Sequence, residues 1–222
     1  MTLLGQRPAR LRHAELRGSF NAEHIMGMAG VAKRRWTAAD VRALMDAHRA
    51  WPRYELLDGE LLVTPSPEWH HQLAVGAMHV RLAPYCEHER LGAALMSPAD
   101  IQLAPESIMQ PDVFVVPEAL IPAEETRGWG HVHWLLLAAE VLSPTTQRED
   151  RVRKRDFYLA NGVREYWIVD LSARVLERWT PEQTTPELHR DRIVWHPAGA
   201  RSPLAIDLED YFLRGCRLPR RL

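Results

Sequence analysis

Asp112, Glu140 and Lys154 are the residues of this chain whose types and spacing could do chemistry. Asp112 follows Pro111 and opens an apolar run, Val113-Phe114-Val115-Val116. Glu140 stands near the end of a second apolar run, residues 135–142. Lys154 lies in the next helix-like stretch. A carboxylate beside a buried strand is costly unless it is paired, hydrogen-bonded or metal-bound. Hard oxygen ligands suit Mg²⁺ or Mn²⁺, which keep several waters and also contact phosphate. An ion held by Asp112 and Glu140 would polarise a phosphoryl oxygen and activate a bound water. Lys154 would then orient that water or neutralise developing charge. Taken singly, each residue has a plainer role. An Asp after Pro is a turn residue, a strand-end Glu caps an amide, and a helix Lys is solvated. Their placement at two strand ends and in the following helix favours metal-assisted phosphodiester cleavage.

The elements that must position them can be read from the pattern around them. Thr37 is a helix N-cap with Asp40 at the capping-box position, and Val41, Leu44 and Met45 share one face of that helix, which ends by Pro52. Residues 54–63 form a hairpin about Asp58-Gly59, a favoured two-residue turn. The stretch from His70 to Glu89 is a helix with a stripe of Leu73, Val75, Ala77, Met78, Val80 and Leu82, bent at Pro84. Short strands are expected at 93–96 and 100–103. The runs at 113–116 and 135–142 are apolar throughout, as strands covered on both faces are. Residues 117–133 form an exposed loop, in which His131 and His133 are surface residues. Residues 148–160 are helical, stopped by Asn161-Gly162. Strands follow at 165–170, 173–180 and 192–196, then a helical turn at 208–213. Trp167 and Trp179 belong to the core. The order implies an α/β domain with a mixed central sheet flanked by helices and an N-terminal β-hairpin.

The totals bound the reading. The chain has 222 residues, 46% hydrophobic and 26% charged, enough for one sizeable core. Residues 1–35 read as an N-terminal extension, partly disordered, in which Met26 and Met28 are alternative starts and Lys33-Arg34-Arg35 is a solvated basic cluster. Residues 36–222 read as a single domain. A net charge of −1 argues against broad non-specific grip on duplex DNA. Cys86 and Cys216 stand alone with no CxxC pair, which fits a reducing cytoplasm. No run reaches the ~20 apolar residues of a membrane helix.

Tyr54-Glu55-Leu56-Leu57-Asp58-Gly59-Glu60, Pro65-Ser66-Pro67, His71, Pro111-Asp112, Glu140-Val141-Leu142-Ser143-Pro144, Lys154, Tyr158 and Gly162-Val163-Arg164-Glu165-Tyr166-Trp167 together resemble the signature of the Uma-type (Uma-two) restriction endonuclease family. That family is a branch of the PD-(D/E)XK nuclease superfamily. The resemblance spans roughly residues 37–180. It implies the restriction-endonuclease-like fold, a Mg²⁺- or Mn²⁺-dependent endodeoxyribonuclease, and the roles of motif aspartate for Asp112, motif glutamate for Glu140 and motif lysine for Lys154. In the parent motif the lysine lies two residues beyond the acid. Leu142 holds that place here, and Lys154 is fourteen residues beyond Glu140. A helix doubling back over the sheet would return the ammonium to the vacated place.

His71 and Glu60 are accessory candidates. His71 would face the cleft from the first turn of its helix, and Glu60 would add a carboxylate from the hairpin. Glu55 is a weaker version of Glu60, and Asp150 an exposed i,i+4 partner of Lys154. DNA is the expected substrate, cut by a homodimer whose two-fold related sites serve the two strands. The alternative is a catalytically weak or inactive nuclease-like module that binds nucleic acid or a protein partner. A hydrolase of small phosphoesters is a third reading, which requires a narrow closed pocket.

Overall fold

The computed structural model describes residues 35–48, 52–143 and 147–217. The basic pair Lys33-Arg34 and nearly all of the expected N-terminal extension lie outside them. Arg35–Leu222 forms one compact unit.

Thr37 caps α1 (Ala38–Ala47) with the capping box its sequence spells, the side chains of Thr37 and Asp40 each accepting from the other's backbone N–H. Strands β1 (Arg53–Leu57) and β2 (Glu60–Thr64) pair antiparallel, Leu57 opposite Glu60. Asp58 and Gly59 both adopt positive φ, 53° and 77°, which the tight turn demands. The long helix α2 (Trp69–Glu89) contains Pro84 without ending there. Its buried face is Ala74, Val75, Ala77, Met78, Leu82 and Cys86; Val80, expected in that stripe, is exposed.

The central sheet has six strands in the order β3-β4-β5-β6-β7-β8. These are Gly92–Met96, Val113–Pro117, Leu137–Val141, Tyr166–Asp170, Val175–Trp179 and Glu187–His189. Every neighbouring pair is antiparallel except β5 and β6. A parallel pair needs a crossover connection. Here it is a π-helical segment, Glu149–Lys154, running into α3 (Arg155–Ala160). A second ribbon, β9 (Arg192–Trp195) with β10 (Leu204–Asp207), leads into the short helix α4 (Leu208–Asp210).

Strands β4, β5 and β6 are buried at every residue, as their unbroken apolar runs require. Their side chains alternate between two cores. Val113, Val115, Leu137, Ala139, Trp167 and Val169 pack on the α2 side. Phe114, Ala138, Tyr166 and Ile168 pack with Phe157 and Tyr158 of α3. The expected strand at 100–103 is absent: Ile101 makes only one bridge, to Met109. Strands β8, of three residues, and β10, of four, arise in stretches too short to show a pattern.

Candidate active site

Continuing the β4–β5 register one step beyond Val113 and Ala139 sets Asp112 opposite Glu140. The two acids therefore meet at the same end of adjacent strands. The N–H of Val141 donates to Asp112 Oδ2 at 3.0 Å. Glu140 has the parity of Ala138, whose face α3 covers. The crossover must pass over that face, and it carries Lys154 back. Lys154 Nζ lies 3.1 Å from Glu140 Oε1, 2.9 Å from Glu55 Oε2 and 3.4 Å from Asp150 Oδ1. Lys154 is only 5% exposed and Glu140 3%. The ammonium is thus buried among acids.

Asp112 is held from the other side. Arg53 Nη2 is 3.1 Å from Oδ1, and His71 Nε2 is 3.1 Å from Oδ2. Arg53 and Glu55 reach the site together because residues two apart on a strand share a face. Tyr158 donates its hydroxyl to Glu140 Oε1 at 3.3 Å, and Tyr166 donates to the carbonyl of Asp150 at 3.0 Å. The N–H of Gln110 donates to Glu55 Oε1 at 2.8 Å, and its side chain donates to Asp100.

Asp112, Glu140, Lys154 and His71 all line one pocket of about 180 Å³, with Glu55, Asp150, Arg53 and Gln110. It is a partly open pocket whose acids and Lys154 are buried while Ser66, Glu68 and His70 are exposed. Glu60 is not in it. The hairpin puts Glu60 at its tip, two register pairs from Glu55, where Glu60 is half exposed and meets Arg153 at 3.3 Å. The hairpin carboxylate of the pocket is Glu55. Asp150, expected on an exposed face, is buried. Arg53 and Gln110 carry no sequence signal of their own, and Tyr158 only its place in the family signature, because hairpin docking and the crossover bring them in.

The electrostatics follow from counting. Four buried carboxylates (Glu55, Asp112, Glu140 and Asp150) share the pocket with two permanent cations, Arg53 and Lys154, while Glu68 lines it as an exposed residue. Burial pushes the Glu140 carboxyl well above the usual range. Lys154 opposes that, while Asp112, Asp150 and Glu55 add to it. Burial alone would also raise Asp112, but the hydrogen bond and charge of His71, then Arg53 and the Val141 N–H, hold it well below the usual carboxylate range. Burial would lower Lys154; Glu140, Glu55 and Asp150 overcome this and keep it charged. The surplus of two negative charges is met either by protons or by a divalent cation. Lys154 and Tyr158 both use Glu140 Oε1, and among the described residues none hydrogen-bonds to Oε2. Buried Gln110 Oε1 also lacks a hydrogen bond. Among the described residues no group of three or more His, Cys, Asp or Glu forms a ready-made cage. Mg²⁺ needs none, since one or two carboxylates and several waters suffice. The oxygen donors and the charge surplus fit such an ion.

Both cysteines are free and buried, and among the described residues no helix is long and apolar enough to cross a membrane.

No curated protein matches the chain. Among solved structures it is similar to the crystal structure of a "putative nuclease belonging to DUF820" from Anabaena variabilis. The TM-score is 0.61 and the identity 20%, over 72% of this chain and 90% of that one. At that identity the likeness establishes a shared fold. The model of the Uma2 family, described as "Putative restriction endonuclease", matches residues 40–208, most of the chain and every residue of the pocket. The chain belongs to the Uma2 family of restriction-endonuclease-like nucleases.

Proposed function

We propose that the protein is a divalent-metal-dependent endonuclease that hydrolyses DNA phosphodiester bonds. The observation that carries this reading is the meeting of Asp112, Glu140 and Lys154, distant in sequence, in one buried and acidic pocket. Asp112 and Glu140 would hold Mg²⁺ or Mn²⁺, which when bound polarises a phosphoryl oxygen and lowers the pKa of a water. Lys154 supplies a fixed positive charge against the charge that develops on the phosphate. Glu55 and Asp150 hold that ammonium in place, and the Tyr158 hydroxyl orients the Glu140 carboxylate. His71 and Arg53 fix the Asp112 carboxylate and keep it ionised. Residues 36–222 act as a single domain, and a homodimer presents two such pockets, one for each strand.

The test is nicking of plasmid DNA by the purified full-length protein with Mg²⁺ or Mn²⁺. Wild type should nick, and Asp112→Asn and Lys154→Met should not. Absence of nicking by wild type, with metal bound, would leave a nuclease-like binding module. The small volume of the pocket favours one second reading, a hydrolase of small phosphodiesters. Hydrolysis of bis(p-nitrophenyl) phosphate with a higher kcat/KM than an oligonucleotide would establish it.

A further inference from the structure

We propose that His70 gives the leaving oxygen of a cleaved phosphodiester its proton. This rests on the reading of the pocket as a phosphodiesterase site and names the group that completes its chemistry.

The first observation is where His70 stands. Asp112, Glu140 and Lys154 form the buried part of the pocket, and Ser66, Glu68 and His70 line its exposed part. In a phosphoryl displacement the attacking and leaving oxygens stand roughly in line across the phosphorus. A water prepared among the buried acids therefore drives the leaving oxygen toward the exposed part. Lys154 is no donor for it, because Glu140, Glu55 and Asp150 surround the ammonium and keep it charged. Histidine is the side chain that most often moves a proton to a reacting group.

The second observation is the ring itself. His70 Nδ1 lies 3.0 Å from the carbonyl oxygen of Cys216. A carbonyl only accepts, so Nδ1 carries a proton and donates it. That bond fixes which nitrogen is left for chemistry. Nε2 has no partner among the described residues. His71, about 100° round the helix, is buried with its Nε2 3.1 Å from Asp112. Of these two neighbouring imidazoles, both lining the pocket, His70 is the one that solvent can reprotonate.

The third observation is how the anchor is held. The turn Tyr211–Gly215 leads to Cys216. Tyr211 donates its hydroxyl to the Ala74 carbonyl at 3.0 Å, and a Cβ on Gly215 would lie 2.8 Å from that of Ala77. Ala74 and Ala77 stand roughly one and two turns beyond His70 on α2. The C-terminal turn is thus docked on the helix that carries His70, with its carbonyl at the ring.

As the oxygen of the attacking water bonds to phosphorus, the bond from phosphorus to the sugar oxygen breaks. That oxygen takes the Nε2 proton and departs as a hydroxyl. The ring is left neutral, with its remaining proton on Nδ1. The attacking water sheds a proton to solvent, and His70 regains one from solvent.

The experiment measures plasmid nicking and hydrolysis of bis(p-nitrophenyl) phosphate in Mg²⁺ by wild type and His70→Ala. A sugar alkoxide needs a proton to leave, and nitrophenolate does not. His70→Ala should lower kcat for nicking at least about a hundredfold with little change in KM, and kcat for the nitrophenyl ester by no more than about tenfold. Equal losses on both substrates, or undiminished nicking, would overturn the proposal. Should wild type spare the ester, free imidazole decides instead: it should restore nicking to His70→Gly, and no restoration overturns the proposal. Nuclear magnetic resonance of the ring nitrogens in the metal-free protein gives a readout without activity. The His70 signals, assigned by their absence in His70→Ala, should show a protonated Nδ1 and an Nε2 that shifts on adding thymidylyl-thymidine. If wild type cuts nothing, the phosphodiesterase reading fails by itself. A shifted Nε2 then still supports a phosphodiester at His70, and an unmoved one overturns it.

Discussion

Replacing Glu140 by Gln should stabilise the metal-free protein, increasingly so as the pH rises, and should remove its stabilisation by a divalent ion. Ionised Glu140 feels three acids, the Lys154 ammonium and, at longer range, the Arg53 guanidinium. Like charges about 6 Å apart repel by about 3 kcal/mol at an effective dielectric constant near 20, and the lysine at contact attracts by about 5 kcal/mol. Arg53, farther off, attracts by about as much as one acid repels, so the three repulsions slightly exceed the two attractions, and desolvation, the largest cause, decides the sign. After relaxation, a net gain of about 1–3 kcal/mol is reasonable for the neutral amide, whose oxygen can still accept from Lys154 and Tyr158. The sign with pH follows from the raised carboxyl. Folded protein holds the Glu140 proton more tightly than unfolded protein does, so wild-type stability falls as pH rises from about 4.5 through the raised value. Gln does not titrate. The lowered Asp112 carboxyl contributes stability above about 3.8 that is lost as pH falls below it, but it does so in both proteins. The melting temperatures in EDTA should therefore coincide near pH 5 and differ by roughly 3–10 °C at pH 9. Saturating Mn²⁺, at a hundred times its Kd, should add about 2.7 kcal/mol to wild type alone. A difference that is flat across pH, a Gln variant less stable at pH 9, or equal stabilisation of both proteins by Mn²⁺ would refute the charge argument.

Lys154→Met should act oppositely on stability. It leaves Glu55, Glu140 and Asp150 without their shared cation, and thermal melting at pH 8 should show a loss of about 3–5 kcal/mol along with the loss of nicking. Mn²⁺ should recover part of that stability, which calorimetry would show. Glu60→Ala breaks only a surface ion pair with Arg153, so melting should move by no more than about 1 kcal/mol and plasmid nicking should match wild type. His71→Ala takes one of three donors from Asp112; metal affinity measured by titration calorimetry should change while Lys154-dependent stability does not.

The sequence shows those parts of the site that rest on local pattern. Asp112 and Glu140 are legible because each interrupts an apolar run that must be a buried strand. Lys154 is legible as a candidate beside the two acids and gains a role through resemblance, but its return to them depends on β5 and β6 being parallel, a non-local fact. The choice between Glu55 and Glu60 turns on which end of the hairpin docks, and both ends look alike in the sequence. Asp150 has the i,i+4 spacing of a surface pair, yet the π-helical segment turns both Asp150 and Lys154 inward. Val80 fails as a core residue because one of the faces suggested by a continuous apolar composition must still be the outer one.

Moving the lysine off the strand changes what the site depends on. Leu142, in the place the parent motif gives to lysine, packs into the α3-side core and donates its N–H to Val169. Leu142 also lines the pocket, beside Glu140. From the crossover, the ammonium enters the same space from above and meets three carboxylates. Its position is then set by how the crossover docks. Tyr166, stacked 5.2 Å from Tyr158, holds the carbonyl of Asp150 through its hydroxyl, and Tyr158 holds Glu140. The two tyrosines thus tie the helix that brings the amine to the strand that brings the acid. In the parent motif one strand fixes that separation by its own geometry; here two aromatic rings in the core do so, and a change in their packing would move Lys154 without touching the pocket.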